Sequence, residues 1–148
     1  MFQDLSNRIN SKKINVAVVG LGYVGLPLAI RFSEVGYQTY GIELDKEKVN
    51  LLKNSESYID DISHSELENI RKKNIFIPSN DFQFINECSV IVICVPTPLD
   101  SDRKPDLSYI QNAMKLISPF LKKGQLISLE STTYPGTTEE ILLPIIED

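Results

Sequence analysis

The sequence predicts an α/β fold, a doubly wound and mostly parallel sheet with helices on both faces. Three observations carry this. Short β-branched runs alternate with helical periodicities four or five times along the chain, the order in which helices cross between parallel strands. The runs Ile14–Gly20 and Ser89–Val95 are almost continuously apolar, as strands buried on both faces are. The chain has 148 residues, 42% of them hydrophobic, which suits one core and one domain.

The elements follow in order. Residues 1–13 are a polar leader of mixed charge without the apolar stretch of a secretory signal. Ile14–Gly20 is the first strand, and the single domain runs from there to residue 148. Leu28, Ala29, Phe32 and Val35 recur on one helical face, and Gly36 closes that helix. Pro27 has no N–H to give and belongs in a first turn, so the helix starts near Tyr23 or Val24. Gln38–Glu43 reads as a strand and Asp45–Lys53 as a helix capped by Asp45. Residues 55–63 are polar and turn-like, and Ser63–Lys73 opens with Ser63 and Glu66 in capping-box spacing.

Ile75–Ile77 is a short strand ended by Pro78, and Asp81–Glu87 a short helix or turn. Ser89–Val95 is the central strand, stopped by Pro96 and Pro98. The charged segment Leu99–Asp106 reads as a mobile loop. Asp106–Leu121 is helical with Leu107, Ile110, Met114 and Ile117 inward, and Gln125–Leu129 is a strand. Ser131–Gly136 is a loop, and Thr137–Ile146 a helix interrupted by Pro144.

Composition excludes several functions. Lysine plus arginine total 15 against 20 acidic residues, a formal charge of −5, so there is no basic footprint for nucleic acid. No apolar run approaches the ~20 residues of a membrane span. Cys88 and Cys94 sit in an apolar stretch and do not form a disulfide framework. Burial there makes thiols inert, and the setting expected is reducing cytoplasm. His64, the one histidine, has no evident partner in the sequence and is assigned no chemistry. No metal-ligand spacing, repeat or interdomain linker appears.

Gly20-Leu21-Gly22-Tyr23-Val24-Gly25 matches G-x-G-x-x-G between a strand and a helix, the context that gives this motif meaning. Gly20 allows the tight turn, Gly22 lets a pyrophosphate approach the backbone, and Gly25 lets helix and sheet pack closely. The helix N-terminus presents N–H groups and a positive dipole end to the anion. Glu43 ends the second strand where an acid is expected to take the ribose hydroxyls. Its carboxylate repels a 2′-phosphate, so NAD is the expected cofactor rather than NADP. Asp45 is a rival for that role, already explained as a cap. Lys48 reads either as a ribose contact or as a plain surface lysine.

Ligands of open α/β sheets bind beyond the carboxyl ends of the strands. Val95-Pro96-Thr97-Pro98 and Glu130–Gly136 lie at two such ends. Hydroxyls at Thr97 and Thr132 serve either the cofactor and a reacting water or the capping of their own loops.

Four segments, VAVVGLGYVGLPLA, GIELDKEKV, VICVPTPL and SLESTTYPGTTEE, resemble the UDP-glucose/GDP-mannose dehydrogenase family. The similarity runs from about residue 14 to the last, and is strongest to the bacterial branch that oxidises UDP-N-acetylhexosamines. The resemblance implies a Rossmann-type domain and an NAD-dependent oxidation of a sugar C6 alcohol to the carboxylate in two steps, through a cysteine thiohemiacetal and thioester. The products feed surface-polysaccharide synthesis. It places the pyrophosphate at Gly20–Gly25 and the ribose at Glu43, where an aspartate is usual. It makes Lys48 a basic cofactor contact and lines the cofactor with Ile93–Thr97, including Val95, Pro96 and Thr97, and with Ser131–Thr133. Thr132 falls on the position that helps place the catalytic water.

The family's nucleophilic cysteine, its lysine and aspartate partners, its substrate-binding glutamate and its dimer-building helix all fall past residue 148. Neither Cys88 nor Cys94 matches the nucleophile. The expectation is therefore a truncated cofactor half that binds NAD without turning over a UDP-sugar, its parent enzyme a homo-oligomer. The sugar is expected to be UDP-N-acetylglucosamine, with UDP-glucose and UDP-N-acetylmannosamine as alternatives. Two other readings stand beside it: a 6-phosphogluconate- or hydroxyacyl-type dehydrogenase, and a non-catalytic nucleotide-binding module.

Overall fold

Five strands, β1 (Asn15–Val19), β2 (Gln38–Ile42), β3 (Phe76–Ser79), β4 (Val90–Ile93) and β5 (Leu126–Leu129), form one parallel sheet in the order β3-β2-β1-β4-β5. This is a computed structural model and describes residues 2–99 and 101–147. Alternation along β1 divides the core in two. Val16 and Val18 face one side with Leu26, Ala29 and Leu67. Ala17 and Val19 face the other with Ile110, Met114 and Ile117.

The helices are α1 (Phe2–Asn10), α2 (Gly25–Glu34), α3 (Lys46–Lys53), α4 (His64–Lys72), α5 (Ser108–Ile117) and α6 (Leu143–Glu147). Their starts follow the local chemistry. Asp45 accepts the N–H groups of Glu47 and Lys48 at 2.9 and 3.4 Å. Ser63 and Glu66 close the reciprocal capping box, which also holds the Glu66 carboxyl below its ordinary range through the Ser63 hydrogen bonds. α2 begins at Gly25, one residue past Val24, which occupies the cap position without a side-chain capping bond.

Several elements extend or correct the expectations. The polar leader is helical, because Leu5 and Ile9 lie one turn apart and pack on the core. Tyr37 donates its hydroxyl to the Ile9 carbonyl at 3.1 Å, and Arg8 donates to Ser89 at 2.8 Å. Pro78 does not end β3, which continues to Ser79; as the sheet's outer strand it has a free side for a residue without an N–H. Ser89 and Val95 fall outside β4. The predicted Asp106–Leu121 helix closes at Ile117 and tightens into a 3₁₀ turn over Ser118–Phe120. Residues 82–87 are also 3₁₀, capped by Asp81.

Pro144 opens α6 rather than interrupting a helix, following a wide π-type turn over Thr138–Leu142. Proline cannot donate to the preceding turn, so the ladder is reset there. The base of the Leu99–Asp106 loop is pinned by a bridge between Leu99 and Pro105 and by the Asp106 N–H on the Pro98 carbonyl at 2.7 Å. Asp100, within that loop, lies outside the described residues.

Candidate functional site

Register levels the strand ends. Val19 pairs with Ile42 and Ile93, Ile42 with Ser79, and Ile93 with Leu129. The residues that follow, Gly20, Glu43, Cys94 and Glu130, therefore share one edge. Each donates its backbone N–H to the neighbouring strand, at 2.8 to 2.9 Å. This is the carboxyl edge, and chain order reverses direction between β1 and β4, the switch point where such sheets hold ligands.

The three glycines do different things. Gly20 has φ +91°, and a Cβ there would stand 2.8 Å from the Cys94 carbonyl oxygen. A Cβ on Gly25 would stand 1.8 Å from the Gly20 carbonyl oxygen, so only glycine lets α2 begin this close to the turn. A Cβ on Gly22 would meet nothing within 4 Å. Gly22 borders open space in front of the α2 N-terminus, the room an anionic group needs to approach those N–H groups.

Leu21 turns inward. Its side chain is fully buried, its N–H is taken by Glu43 Oε2 at 2.9 Å, and its carbonyl accepts the Tyr58 hydroxyl at 2.7 Å. Leu21 and Gly25 line neither cavity described below and shape the turn from behind. Tyr23 and Val24 stand on the cleft side, Tyr23 80% exposed.

Two cavities flank the turn. One, of about 580 Å³, reaches over the ends of β4 and β5 to Thr97, Glu130, Ser131 and Thr132. The other, of about 340 Å³, lies between Glu43 and α5, walled by Leu44, Phe82, Tyr109, Ala113 and Leu116. Both reach Gly22, Lys48, Cys94, Val95 and Pro96, so together they make one elongated cleft. Each has the size of a small-ligand site.

Charge alternates along that cleft. Glu43 lines the smaller cavity, Lys48 lines both, and Glu130 lines the larger. Lys48 sits over the Tyr58 ring, 5.4 Å from its centroid, a geometry that steadies an ammonium. Burial, then the charges of Glu43 and Asp45, push the Tyr58 hydroxyl well above its ordinary range, so it remains a donor to the Leu21 carbonyl.

The remaining candidates divide. Ser131 donates its hydroxyl to the Val95 carbonyl at 2.7 Å, stitching the two strand-end loops together. Thr97 and Thr132 line the larger cavity. Thr133 bonds locally to the Tyr134 carbonyl, at 3.4 Å. Cys94 is buried at the junction of the cavities, its thiol pushed up to about 11 by burial and then by the charge of Glu130. His64 does have a partner, contrary to expectation: its Nδ1 lies 3.0 Å from the Ser55 carbonyl oxygen.

Sequence reasoning missed Tyr58, Phe82, Tyr109 and Leu116 as cleft residues. Tyr58 falls in a stretch read as turn, and only its aromatic character among polar neighbours marked it. Tyr109 and Leu116 lie seven apart on a second face of α5, a periodicity that was available. Among the described residues no group of three or more His, Cys, Asp or Glu side chains is placed to hold a metal ion, and no helix is long and apolar enough to cross a membrane.

A parallel sheet in this order, with a glycine turn opening a helix and an acid ending the next strand, defines a dinucleotide-binding domain of the Rossmann class. Residues 14–148 match the NAD binding domain of the UDP-glucose/GDP-mannose dehydrogenase family, and the chain belongs to that family, with NAD as the domain's cofactor. It is 36% identical over 136 residues to a UDP-N-acetyl-D-glucosamine 6-dehydrogenase of Pseudomonas aeruginosa, covering 92% of this chain and 31% of the relative. A UDP-N-acetyl-D-mannosamine dehydrogenase of Methanococcus maripaludis is 38% identical over 132 residues, covering 85% and 30%.

Among solved structures, a GDP-mannose dehydrogenase of Pseudomonas aeruginosa superposes with a TM-score of 0.85 at 28% identity, covering 90% of this chain and 32% of its own. A UDP-N-acetyl-mannosamine dehydrogenase of Staphylococcus aureus gives 0.82 at 33% identity, with the same coverage. The chain thus spans about a third of the length of these relatives.

Proposed function

We propose that this chain is the cofactor half of a dehydrogenase that oxidises the C6 alcohol of a UDP-N-acetylhexosamine, foremost UDP-N-acetylglucosamine, to the uronate in two NAD-dependent steps. The observation that carries the cofactor half is the open face of Gly22 in a cavity that it lines together with Glu43 and Lys48. The turn and the α2 N-terminus receive the pyrophosphate, with Lys48 beside it. Glu43 accepts the adenosine ribose hydroxyls, and the apolar wall of Phe82, Tyr109 and Leu116 covers the adenine. The nicotinamide half extends into the larger cavity, toward Thr97 and Thr132. Bound NAD⁺ supplies the hydride acceptor. The chain's own residues bind it, orient it and set its direction along the cleft.

The N-acetylglucosamine choice rests on the relative at 36% identity, and the mannosamine relative at 38% keeps that epimer as the second reading. The chain has no thiol suited to covalent catalysis, since burial makes both cysteines poor nucleophiles. These 148 residues therefore bind NAD and leave the sugar unchanged. We place the parent protein in the cytoplasm, as a homo-oligomer supplying uronates for surface polysaccharide or lipopolysaccharide.

Titration calorimetry of this chain with NAD should give a saturable heat, and its absence overturns the cofactor reading. Protein carrying the segments that its relatives have beyond this match, offered UDP-N-acetylglucosamine, UDP-N-acetylmannosamine and UDP-glucose, should produce NADH fastest from the first. Preference for another sugar overturns the substrate choice. NADH production by the 148 residues alone overturns the division of labour.

A further inference from the structure

The charge order along the cleft has a partner in the charge order of a nicotinamide dinucleotide. From one end to the other such a molecule presents hydroxyl donors on the adenosine ribose, a doubly negative pyrophosphate, and a nicotinamide ring that is cationic when oxidised and neutral when reduced. The cleft presents a carboxylate at Glu43, an ammonium at Lys48 and a second carboxylate at Glu130. Glu43 and the glycine turn fix the adenosine end, so the ring falls on the Glu130 side.

We propose that Glu130 is a specificity-determining residue that reads the redox state of the cofactor, favouring NAD⁺ over NADH by facing the cationic ring. This rests on the NAD reading above. Three observations support it. Glu130 lines the larger cavity with Thr97 and Thr132. Its backbone is pinned to β4 through its N–H on the Ile93 carbonyl at 2.8 Å, and its Oε1 accepts the Ser128 hydroxyl at 2.6 Å. The carboxylate is thereby held at the strand end. Its field also reaches inward, since after burial it is the next cause raising the Cys94 thiol.

The only cation lining that cavity among the described residues is Lys48, which the second cavity shares and the Tyr58 ring holds. Glu130 is thus left to face the far end. The consequence is directional. Gaining a hydride neutralises the ring and removes its attraction to Glu130, so the carboxylate assists exchange of reduced for oxidised cofactor, which two successive oxidations on one site require.

The test compares NAD⁺, NADH and ADP-ribose, which lacks the ring, by calorimetry on this chain and on Glu130→Gln. The carboxylate is exposed, so the effect is that of a solvent-screened pair. Glu130→Gln should weaken NAD⁺ relative to NADH by about two- to fivefold, leaving ADP-ribose unchanged. The shift should shrink in about 1 M salt. An unchanged ratio of NAD⁺ to NADH affinity overturns the proposal. So does an equal loss for ADP-ribose, which would make Glu130 a structural support. If the unaltered chain binds none of the three, the NAD reading itself falls.

Discussion

Glu43 Oε2 accepts the N–H of Leu21 at 2.9 Å while its Oε1 accepts that of Asp45 at 3.2 Å. One carboxylate thus ties the glycine turn after β1 to the cap of α3. A carboxylate offers about four acceptor sites. The two engaged here hold it in place at the lining of the smaller cavity, the site proposed above for the ribose. A carboxylate so anchored is preorganised for its ligand, which lowers the cost of binding.

Replacing Glu43 should therefore cost both order and affinity. Glu43→Ala should weaken NAD by about 10- to 100-fold, the scale of hydrogen bonds to a charged group, and lower stability by about 1 kcal/mol. It should also narrow the gap between NAD and NADP, because the charge repelling a 2′-phosphate is gone. Calorimetry with both dinucleotides measures this. A gap that stays the same shows that Glu43 does not face the ribose.

Gly22→Ala and Gly20→Ala should part company. At Gly22 the new methyl enters open space, so the melting temperature should hold within the ±0.5 kcal/mol or so of a neutral surface change. NAD affinity should drop at least about tenfold, because the methyl occupies the approach of the pyrophosphate. At Gly20 the strained φ and the 2.8 Å approach to the Cys94 carbonyl oxygen should cost about 1–3 kcal/mol of stability before any ligand is added. Equal melting temperatures for the two variants contradict this division.

Tyr58→Phe keeps the ring under Lys48 and removes only the donor to the Leu21 carbonyl. The loss should be about 1–2 kcal/mol of stability, the cost of leaving a partly buried acceptor unpaired. NAD binding should weaken with it, since Leu21 loses one of the two side-chain ties that hold its backbone. Tyr58→Leu should weaken binding further by releasing the ammonium. If Phe and Leu behave alike in NAD affinity, the ring is not steadying Lys48.

What was legible in the chain is what local chemistry determines. β1, the glycine turn, the Asp45 cap and the Ser63–Glu66 box all depend on neighbours within a few residues, and each formed where it was expected. Glu43 was legible because strand length places it. Tyr58 was not, because its partner Leu21 lies 37 positions away and becomes a neighbour only in the folded chain. The leader's helix depended on Tyr37 and Ser89 in the same way. Pro78 misled because a proline stops a central strand and only the finished sheet shows β3 to be outermost. The wall of the smaller cavity was hidden for a related reason: α5 has one face for the core and another for the cleft, and the core face dominated the pattern.

The buried thiols and Tyr40 set an alkaline limit on stability. Tyr40 donates its hydroxyl to Glu87 Oε2 at 2.9 Å, and burial followed by that bond raises it from 10.0 to about 12. Burial and then Glu87 raise Cys88 from 9.0 to about 12; burial and then Glu130 raise Cys94 from 9.0 to about 11. All three are neutral when protonated and hold the proton more tightly in the folded chain, so unfolding above their ordinary values releases protons. Linkage then makes stability fall as pH rises. The contribution is complete below pH 9.0, the thiols' ordinary value, and is lost progressively toward pH 11 to 12. Urea midpoints measured across that window should decline, and Tyr40→Phe should lessen the decline above pH 10.0, where that hydroxyl's ordinary value lies, leaving the share of Tyr58, which burial raises in the same direction. A midpoint that stays level as the pH climbs shows that these groups ionise as easily folded as unfolded. The same burial should keep both thiols unreactive toward a disulfide reagent in the native chain. Because Cys94 lines both cavities, NAD should slow its residual reaction and leave that of Cys88 unchanged, with equal slowing of the two pointing to general tightening of the fold rather than to a ligand in the cleft.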